Sequence, residues 1–147
     1  SNFKYLKVGP ELTFNFAKAA FKMERFENKK FEIKSNLLNV VLKSMFKNPK
    51  YWIDYYNGSH ANKLRLIKSS NLDRMRYYWQ EKSVQNSLTV LKNNINKTDR
   101  DEILNYFSIK QSVKNNFNDL NNFDLILINF LSPIFYKYYA ACNHEIK

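Results

Sequence analysis

The sequence predicts a mainly α-helical fold with one short strand near its N-terminus. Two glycines in 147 residues are too few for the repeated tight turns of a many-stranded sandwich or barrel. Twelve phenylalanines and 10 tyrosines supply enough apolar surface for a buried core. Apolar residues also recur at spacings of three and four along most of the chain, which is the period of amphipathic helices.

The predicted strand covers residues 3–8, where large apolar side chains alternate with lysine before a stop at Gly9-Pro10. A lone strand has no hydrogen-bonding partner in an otherwise helical chain, because each buried N–H and C=O group needs one. The strand therefore either pairs with a second copy of the chain or belongs to a sheet whose other strands lie outside this sequence. We favour the second interpretation.

Two helices are predicted next. The first begins at Pro10, since a proline at the first helical position gives up no needed hydrogen bond. The second covers residues 35–46 and ends before Pro49, whose ring disfavours helical geometry in the preceding residue. The residues predicted to face the core are Leu12, Phe16, Ala19, Ala20, Met23 and Phe26 in the first helix and Leu37, Leu38, Val41, Leu42 and Met45 in the second.

Two carboxylates of the first helix, Glu24 and Glu27, share one helix face. Lys22, Arg25 and Lys29 lie beside them in the sequence. This mixture is typical of surface ion pairs rather than of a general acid–base couple. We therefore predict that the two glutamates form surface ion pairs.

The rest of the chain contains signals for five further helices. Short helices are predicted at residues 51–56 and 74–79, the latter after capping residues that include Ser70 and Asp73. Others are predicted at about residues 83–94 and around residues 103–107, the latter capped by Thr98. A long C-terminal helix starts at residues 121–124, with Pro133 as a candidate kink site.

The rarest residue types exclude several classes of enzyme. Gly9 and Gly58 cannot together form either of the glycine-rich nucleotide-binding loops. One cysteine and two histidines cannot form a disulfide framework, a paired C-x-x-C zinc site or an H-E-x-x-H metal site. We expect no catalytic residue, metal or cofactor in this chain. No secretory signal or membrane span is evident, so the pattern is typical of a reduced cytosolic protein.

The net charge of +11 is concentrated in the first part of the chain. Residues 1–80 contain 16 basic and 6 acidic residues, whereas residues 81–147 contain 8 and 7. Lysine outnumbers arginine 19 to 5, which favours a solvated surface, since specific nucleic-acid sites use the planar fork of arginine. Single-stranded nucleic acid is a less favoured alternative partner, because aromatic and basic side chains are combined at residues 51–56 and 74–79.

Four collinear motifs resemble those of one protein family. They are L-K-V-G-P-E-L-T-F at residues 6–14, P-K-Y-W-I-D-Y-Y-N-G at 49–58, D-R-M-R-Y-Y-W at 73–79 and Y-Y-A-A-C at 138–142. With these motifs the chain resembles the GatZ/KbaZ-type accessory subunits of class II D-tagatose-1,6-bisphosphate aldolase. It departs from the third family motif where Leu72 replaces a serine and Met75 an isoleucine.

The resemblance implies a fold larger than this chain. Such subunits are built on a (β/α)₈ barrel, which needs about 250 residues. Residues 1–30 are then expected to be the last βα unit of the barrel, with residues 3–8 as its last strand. Residues 31–147 are expected to form a C-terminal helical extension.

The resemblance also implies a function. Members of this family stabilise the catalytic aldolase subunit and support its full activity in carbohydrate catabolism of the galactitol or N-acetylgalactosamine type. That catalytic subunit is the expected partner and the expected holder of zinc, while a homo-oligomer is left open. The alternative is that the barrel itself binds or processes a sugar phosphate. Some members are labelled tagatose-6-phosphate kinases, although this chain has no nucleotide-binding loop.

Two sets of residues receive predicted roles from this resemblance. Lys7, Gly9 and Thr13 are predicted to border a sugar-phosphate site, because barrel sites form at the carboxyl ends of the strands. A larger set is predicted to fix the helical extension or to contact another subunit, and it comprises Trp52, Tyr55, Tyr56, Asp73, Arg74, Arg76, Tyr77, Tyr78 and Trp79.

Overall fold

The computed structural model describes residues 2–69 and 74–146, with side chains described for residues 11–69, 74–137, 139 and 140. Within these ranges the chain forms seven α-helices and two short 3₁₀ helices. The α-helices are α1 (Asn2–Lys30), α2 (Leu37–Lys47), α3 (His60–Ser69), α4 (Lys82–Asn96), α5 (Arg100–Tyr106), α6 (Gln111–Asn116) and α7 (Asn122–Ile146). The 3₁₀ helices are Pro49–Tyr51 and Arg74–Tyr78.

The predicted strand at residues 3–8 is wrong. Helix α1 includes these residues and continues through Gly9 and Pro10, and no strand occurs in the described parts of the chain. A helix pairs the backbone N–H and C=O groups of a segment within that segment, whereas a lone strand leaves them without partners. The last barrel strand that was expected here is therefore absent, while the boundary at residue 30 between two domains stays a prediction.

Helix α1 lies at the centre of the fold and packs against α7 and α4, while α2 packs against α4. The predicted core stripe of α1 is confirmed at four buried residues, Ala19, Ala20, Met23 and Phe26. Phe16 packs against this core from a half-buried position, and Leu12 is half-buried. In α2 the buried apolar side chains are those of Leu37, Val41 and Met45.

Helices α3 and α6 were not predicted from the sequence. The start of α3 carries a local signal: Gly58 adopts φ +104°, and the Ser59 hydroxyl accepts a hydrogen bond from the Asn62 N–H at 3.2 Å. A Cβ atom at Gly58 would lie 2.8 Å from Nδ2 of Asn62, so both the positive φ and the lack of space favour glycine at this position. The capping role predicted for Thr98 is wrong, because its hydroxyl donates to the Asn94 carbonyl at 2.9 Å and α5 begins after Asp99.

Helix α7 continues through Pro133. Among the helices whose residues are described, none combines the length and the apolar character needed to cross a membrane.

Candidate functional site

The second and third family motifs meet in space. The Nε atom of Arg74 donates a hydrogen bond to the Tyr51 carbonyl at 2.6 Å, and the Arg74 backbone N–H donates to the Tyr56 hydroxyl at 3.4 Å. The Tyr78 hydroxyl donates to the Asn48 carbonyl. These bonds tie the 3₁₀ helix Arg74–Tyr78 to residues 48–56, although 18 to 30 residues of sequence separate the bonded partners.

Tyrosine rings surround the guanidinium group of Arg74. Its Cζ atom lies 3.8 Å from the ring centroid of Tyr55 and 4.7 Å from that of Tyr77. The Tyr77 ring in turn stacks on Tyr51, with centroids 5.0 Å apart and planes inclined by 17°. A guanidinium held between aromatic rings is attracted by their π-electrons and loses much of its rotational freedom.

A second arginine acts on Tyr77. Arg76 donates a hydrogen bond to the Tyr77 hydroxyl at 2.7 Å, and its Cζ atom lies 4.6 Å from the ring centroid. This hydrogen bond and the positive charges of Arg76 and Arg74 lower the pKa of the Tyr77 phenol below its usual value, because they stabilise the phenolate. Burial raises the pKa of the neighbouring Tyr78 instead.

Exposure divides the motif residues into two groups. Tyr55 is 54% exposed and contacts the half-buried Arg74, while Tyr77 is 41% exposed and contacts both Arg74 and the half-buried Arg76. We call Tyr55, Arg74, Arg76 and Tyr77 the aromatic–arginine platform, and Ile53, 44% exposed, lies in the same sequence segment as Tyr55.

Four other aromatic residues of these motifs belong to the core. Trp52, Tyr56, Tyr78 and Trp79 are all buried. The indole N–H of Trp52 donates to the Met45 carbonyl at 2.7 Å, which fixes the motif to α2. These four residues hold the platform in place, while the predicted contact of the whole set with another subunit stays a prediction.

Trp79 joins the platform region to α1. Its ring packs edge-on against Phe16, with centroids 5.2 Å apart, and lies at a tilt of 39° to Phe21, with centroids 6.0 Å apart. Its indole N–H is buried without a hydrogen-bond acceptor among the described atoms. Asp73 lies outside the described residues.

The first predicted site is only partly described. Lys7 and Gly9 lie within α1 in the part of the chain whose side chains are not described, and Thr13 is half-buried in the same helix. Their predicted role at a sugar phosphate stays a prediction. No group of three or more side chains able to bind a metal occurs among the described residues.

A cluster of buried polar side chains lies before the start of α2. The carboxylate of Glu27 accepts hydrogen bonds from the Ser35 N–H at 2.9 Å, from the Ser35 hydroxyl at 2.6 Å and from the Asn94 amide at 2.7 Å. The same amide donates to the Ile33 carbonyl at 2.9 Å, and the Ser87 hydroxyl donates to the Ser35 carbonyl at 2.8 Å. Glu27 has no exposed surface, so these bonds replace the water that a carboxylate otherwise needs.

Glu24 contacts the same helix end. Its two carboxylate oxygens accept the Leu38 N–H at 3.0 and 3.1 Å, within the first turn of α2, where the helix dipole favours a negative charge. Burial raises the pKa of Glu24 above its usual value, an effect that the Leu38 hydrogen bond opposes and the nearby charge of Glu27 reinforces.

The prediction of surface ion pairs at these glutamates is wrong, because both side chains are buried. The sequence did contain a signal for this, since Ala20, Met23, Glu24 and Glu27 follow the i, i+3, i+4, i+7 spacing of one helix face. Asn94, which donates to Glu27, is 67 residues further along the chain and gave no local signal.

Comparisons with known proteins identify relatives of the chain. The family model described as "D-tagatose-1,6-bisphosphate aldolase subunit GatZ/KbaZ-like" matches residues 1–143. The chain is 36% identical over 96 residues to the subunit GatZ of Escherichia coli and 35% identical over 100 residues to that of Shigella boydii serotype 18. These matches cover 64% and 67% of this chain but only 23% and 24% of the relatives.

A solved structure has a similar fold. It is that of a probable tagatose 6 phosphate kinase from Sinorhizobium meliloti 1021, with a TM-score of 0.73 over 90% of this chain and 35% of the other. Its sequence identity of 22% makes this a likeness of fold alone. The family match, by contrast, extends over nearly all of the sequence and includes all four motifs. The chain therefore belongs to the GatZ/KbaZ-like family of D-tagatose-1,6-bisphosphate aldolase subunits.

Proposed function

We propose that this chain acts as part of a non-catalytic subunit that stabilises a class II tagatose-1,6-bisphosphate aldolase and supports its activity. The pathway is carbohydrate catabolism of the galactitol or N-acetylgalactosamine type. The family match over residues 1–143 carries this proposal. The zinc and the reacting groups are assigned to the catalytic partner, so that this chain acts through protein–protein contact.

The aromatic–arginine platform supports a contact role. Tyrosine and arginine are enriched at protein interfaces, where they contribute large contact areas and directed hydrogen bonds. Here the two tyrosines are exposed, the two arginines are half-buried, and a buried layer that includes Trp52 and Tyr78 holds them. Side chains that are already ordered lose less conformational entropy on binding.

The test is co-expression of this chain with the catalytic aldolase subunit of the same organism. We expect the aldolase to lose its activity more slowly at growth temperature when the chain is present, and to co-purify with it. A catalytic subunit of unchanged lifetime and activity, with no co-purification, would contradict the proposal. The aldolase expressed with an unrelated helical protein is the control.

Binding of a sugar phosphate by this chain is the alternative, with Lys7, Gly9 and Thr13 as its residues. Calorimetric titration with tagatose 1,6-bisphosphate and with tagatose 6-phosphate distinguishes it from the first proposal. Heat of binding that disappears in a Lys7→Ala variant favours the alternative, whereas the absence of heat removes it. The contact role does not depend on either result.

A further inference from the structure

We propose that the aromatic–arginine platform is the surface through which this chain binds its partner, and that it receives a carboxylate-bearing face of the catalytic aldolase subunit. This inference rests on the proposed function, because it names the surface and the chemistry of that contact. The platform residues of the motifs at residues 49–58 and 73–79 bind the partner, while the buried residues of the same motifs support them.

The platform is rigid before it meets a partner. The guanidinium of Arg74 is fixed by the hydrogen bond from its Nε atom to the Tyr51 carbonyl and by its contacts with the rings of Tyr55 and Tyr77. Tyr77 is fixed in turn by stacking on Tyr51 and by the hydrogen bond from Arg76. A surface arranged in this way gives up little freedom on binding, which is the property of interface residues that contribute most to affinity.

The charge around the platform favours an acidic partner. Arg74 and Arg76 belong to the platform. The Nζ atom of Lys50 lies 5.3 Å from the ring centroid of Tyr51, the ring on which Tyr77 stacks. The two motif segments, residues 49–58 and 73–79, contain three basic residues (Lys50, Arg74 and Arg76) and two acidic ones (Asp54 and Asp73), and residues 1–80 as a whole contain 16 basic and 6 acidic side chains. Guanidinium groups pair with carboxylates through two parallel hydrogen bonds, so a carboxylate on the partner complements this face in both charge and geometry.

The arrangement of the rings disfavours single-stranded nucleic acid as the occupant. Bases bind such surfaces by stacking on open aromatic faces. The ring of Tyr77 is already in contact with Tyr51, Arg74 and Arg76, and the ring of Tyr55 is in contact with Arg74. Tyr51 and the two guanidinium groups therefore already occupy ring surface on which a base would have to stack.

Helix α7 provides a matched comparison. Tyr136 and Tyr139 are each 68% exposed, more than either tyrosine of the platform. For the arginines, Arg65 on α3 is an exposed side chain of the same half of the chain, and it donates a hydrogen bond to Asn62 at 2.8 Å. Exposure and charge alone thus predict that substitutions at these control positions have effects at least as large as those on the platform.

The experiment measures the affinity of the whole chain for the catalytic subunit, for wild type and four variants. Tyr55→Ala and Arg76→Glu alter the platform, while Tyr136→Ala and Arg65→Glu are their controls. We expect affinity to fall about tenfold or more for the two platform variants and to stay within about threefold for the controls. Circular dichroism and urea unfolding establish that each variant is folded.

The salt dependence of the association rate tests the charge complementarity independently. We expect a higher ionic strength to slow association of the wild type, and to slow association of Arg76→Glu less, because screening acts on a charge complementarity that this variant has lost. Equal affinity of wild type and both platform variants overturns this inference while leaving the proposed function intact. A wild type that does not bind the catalytic subunit overturns both, and platform-dependent binding of an oligonucleotide in place of the aldolase overturns the choice of partner.

Discussion

The buried carboxylates before α2 and the aromatic–arginine platform place charged groups in opposite environments. Glu24 and Glu27 are surrounded by backbone and side-chain donors and have almost no contact with solvent. Arg74 and Arg76 are half-buried against tyrosine rings that are themselves exposed. Water can replace a hydrogen bond that a guanidinium at the surface loses, but it cannot reach a buried carboxylate.

The difference indicates separate roles for the two clusters. The carboxylates join α1 to α2 and α4 through hydrogen bonds over as many as 67 residues of sequence, so changes there are expected to alter the free energy of unfolding. The platform presents charge and aromatic surface outward, so changes at its exposed residues are expected to alter binding and leave the fold intact. The following predictions test this division from the largest expected effect to the smallest.

Glu27→Ala is expected to have the largest effect on stability. It leaves the N–H and hydroxyl of Ser35 and one N–H of the Asn94 amide buried without an acceptor, which should lower the free energy of unfolding by about 3 kcal/mol. Urea unfolding measures the change, and Glu32→Ala, an exposed glutamate close in sequence, serves as the control with a change within about 0.5 kcal/mol. If the alanine variant does not fold, Glu27→Gln, which keeps one acceptor oxygen, gives a smaller loss in the same direction. A loss equal to that of the control would contradict the structural role of Glu27.

Arg74→Ala is expected to lower the free energy of unfolding by about 1–2 kcal/mol, because it removes the charged hydrogen bond to the Tyr51 carbonyl and the contacts with two rings. Arg74→Lys should lose most of the same amount, since an ammonium group cannot reproduce the planar fork. Urea unfolding is again the measurement, with Arg65→Ala as the exposed control. Full retention of stability by the lysine variant would mean that charge alone matters at this position.

Glu24→Gln is expected to change the pH dependence of stability by a smaller amount. The pKa of Glu24 is raised in the folded chain, so between its usual value of 4.5 and the raised value the folded state binds more protons than the unfolded state. The contribution of Glu24 to stability is therefore fully present below that window and declines as the pH rises through it. Unfolding in urea across this pH range should show the stability of the wild type, relative to the variant, falling as the pH rises. A difference that is constant with pH would contradict the raised pKa.

Tyr55→Ala is expected to have the smallest effect on stability. Its side chain is more than half exposed, so the free energy of unfolding should change by no more than about 0.5 kcal/mol while affinity for the partner falls. Tyr56→Ala is the buried counterpart at the next position and should destabilise strongly, by about 3 kcal/mol. Comparable losses for the two neighbouring tyrosines would contradict the division of the motif into a core and a platform.

Much of the helical layout could be predicted from local patterns. The stripe of α1 depends on residues three and four positions apart, and its buried members were identified correctly at Ala19, Ala20, Met23 and Phe26. The predicted strand at residues 3–8 was wrong because alternation over six residues is too short to distinguish a strand from the end of a long helix. Helix α3 was missed although Ser59 precedes it as a capping residue, since its apolar stripe is weak and only Ile67 is buried.

The sequence by itself determined the helical periodicity, the residues of the α1 core stripe and the four motifs that place the chain in its family. Only the tertiary structure decided that Glu27 is buried and that Arg74 joins two motifs into one surface. The partners in those two contacts lie 67 and 23 residues away. A carboxylate can be buried only where enough donors converge on it, and an arginine can organise a surface only where rings and a carbonyl meet it. Such convergence is a property of the folded chain, which no local pattern contains.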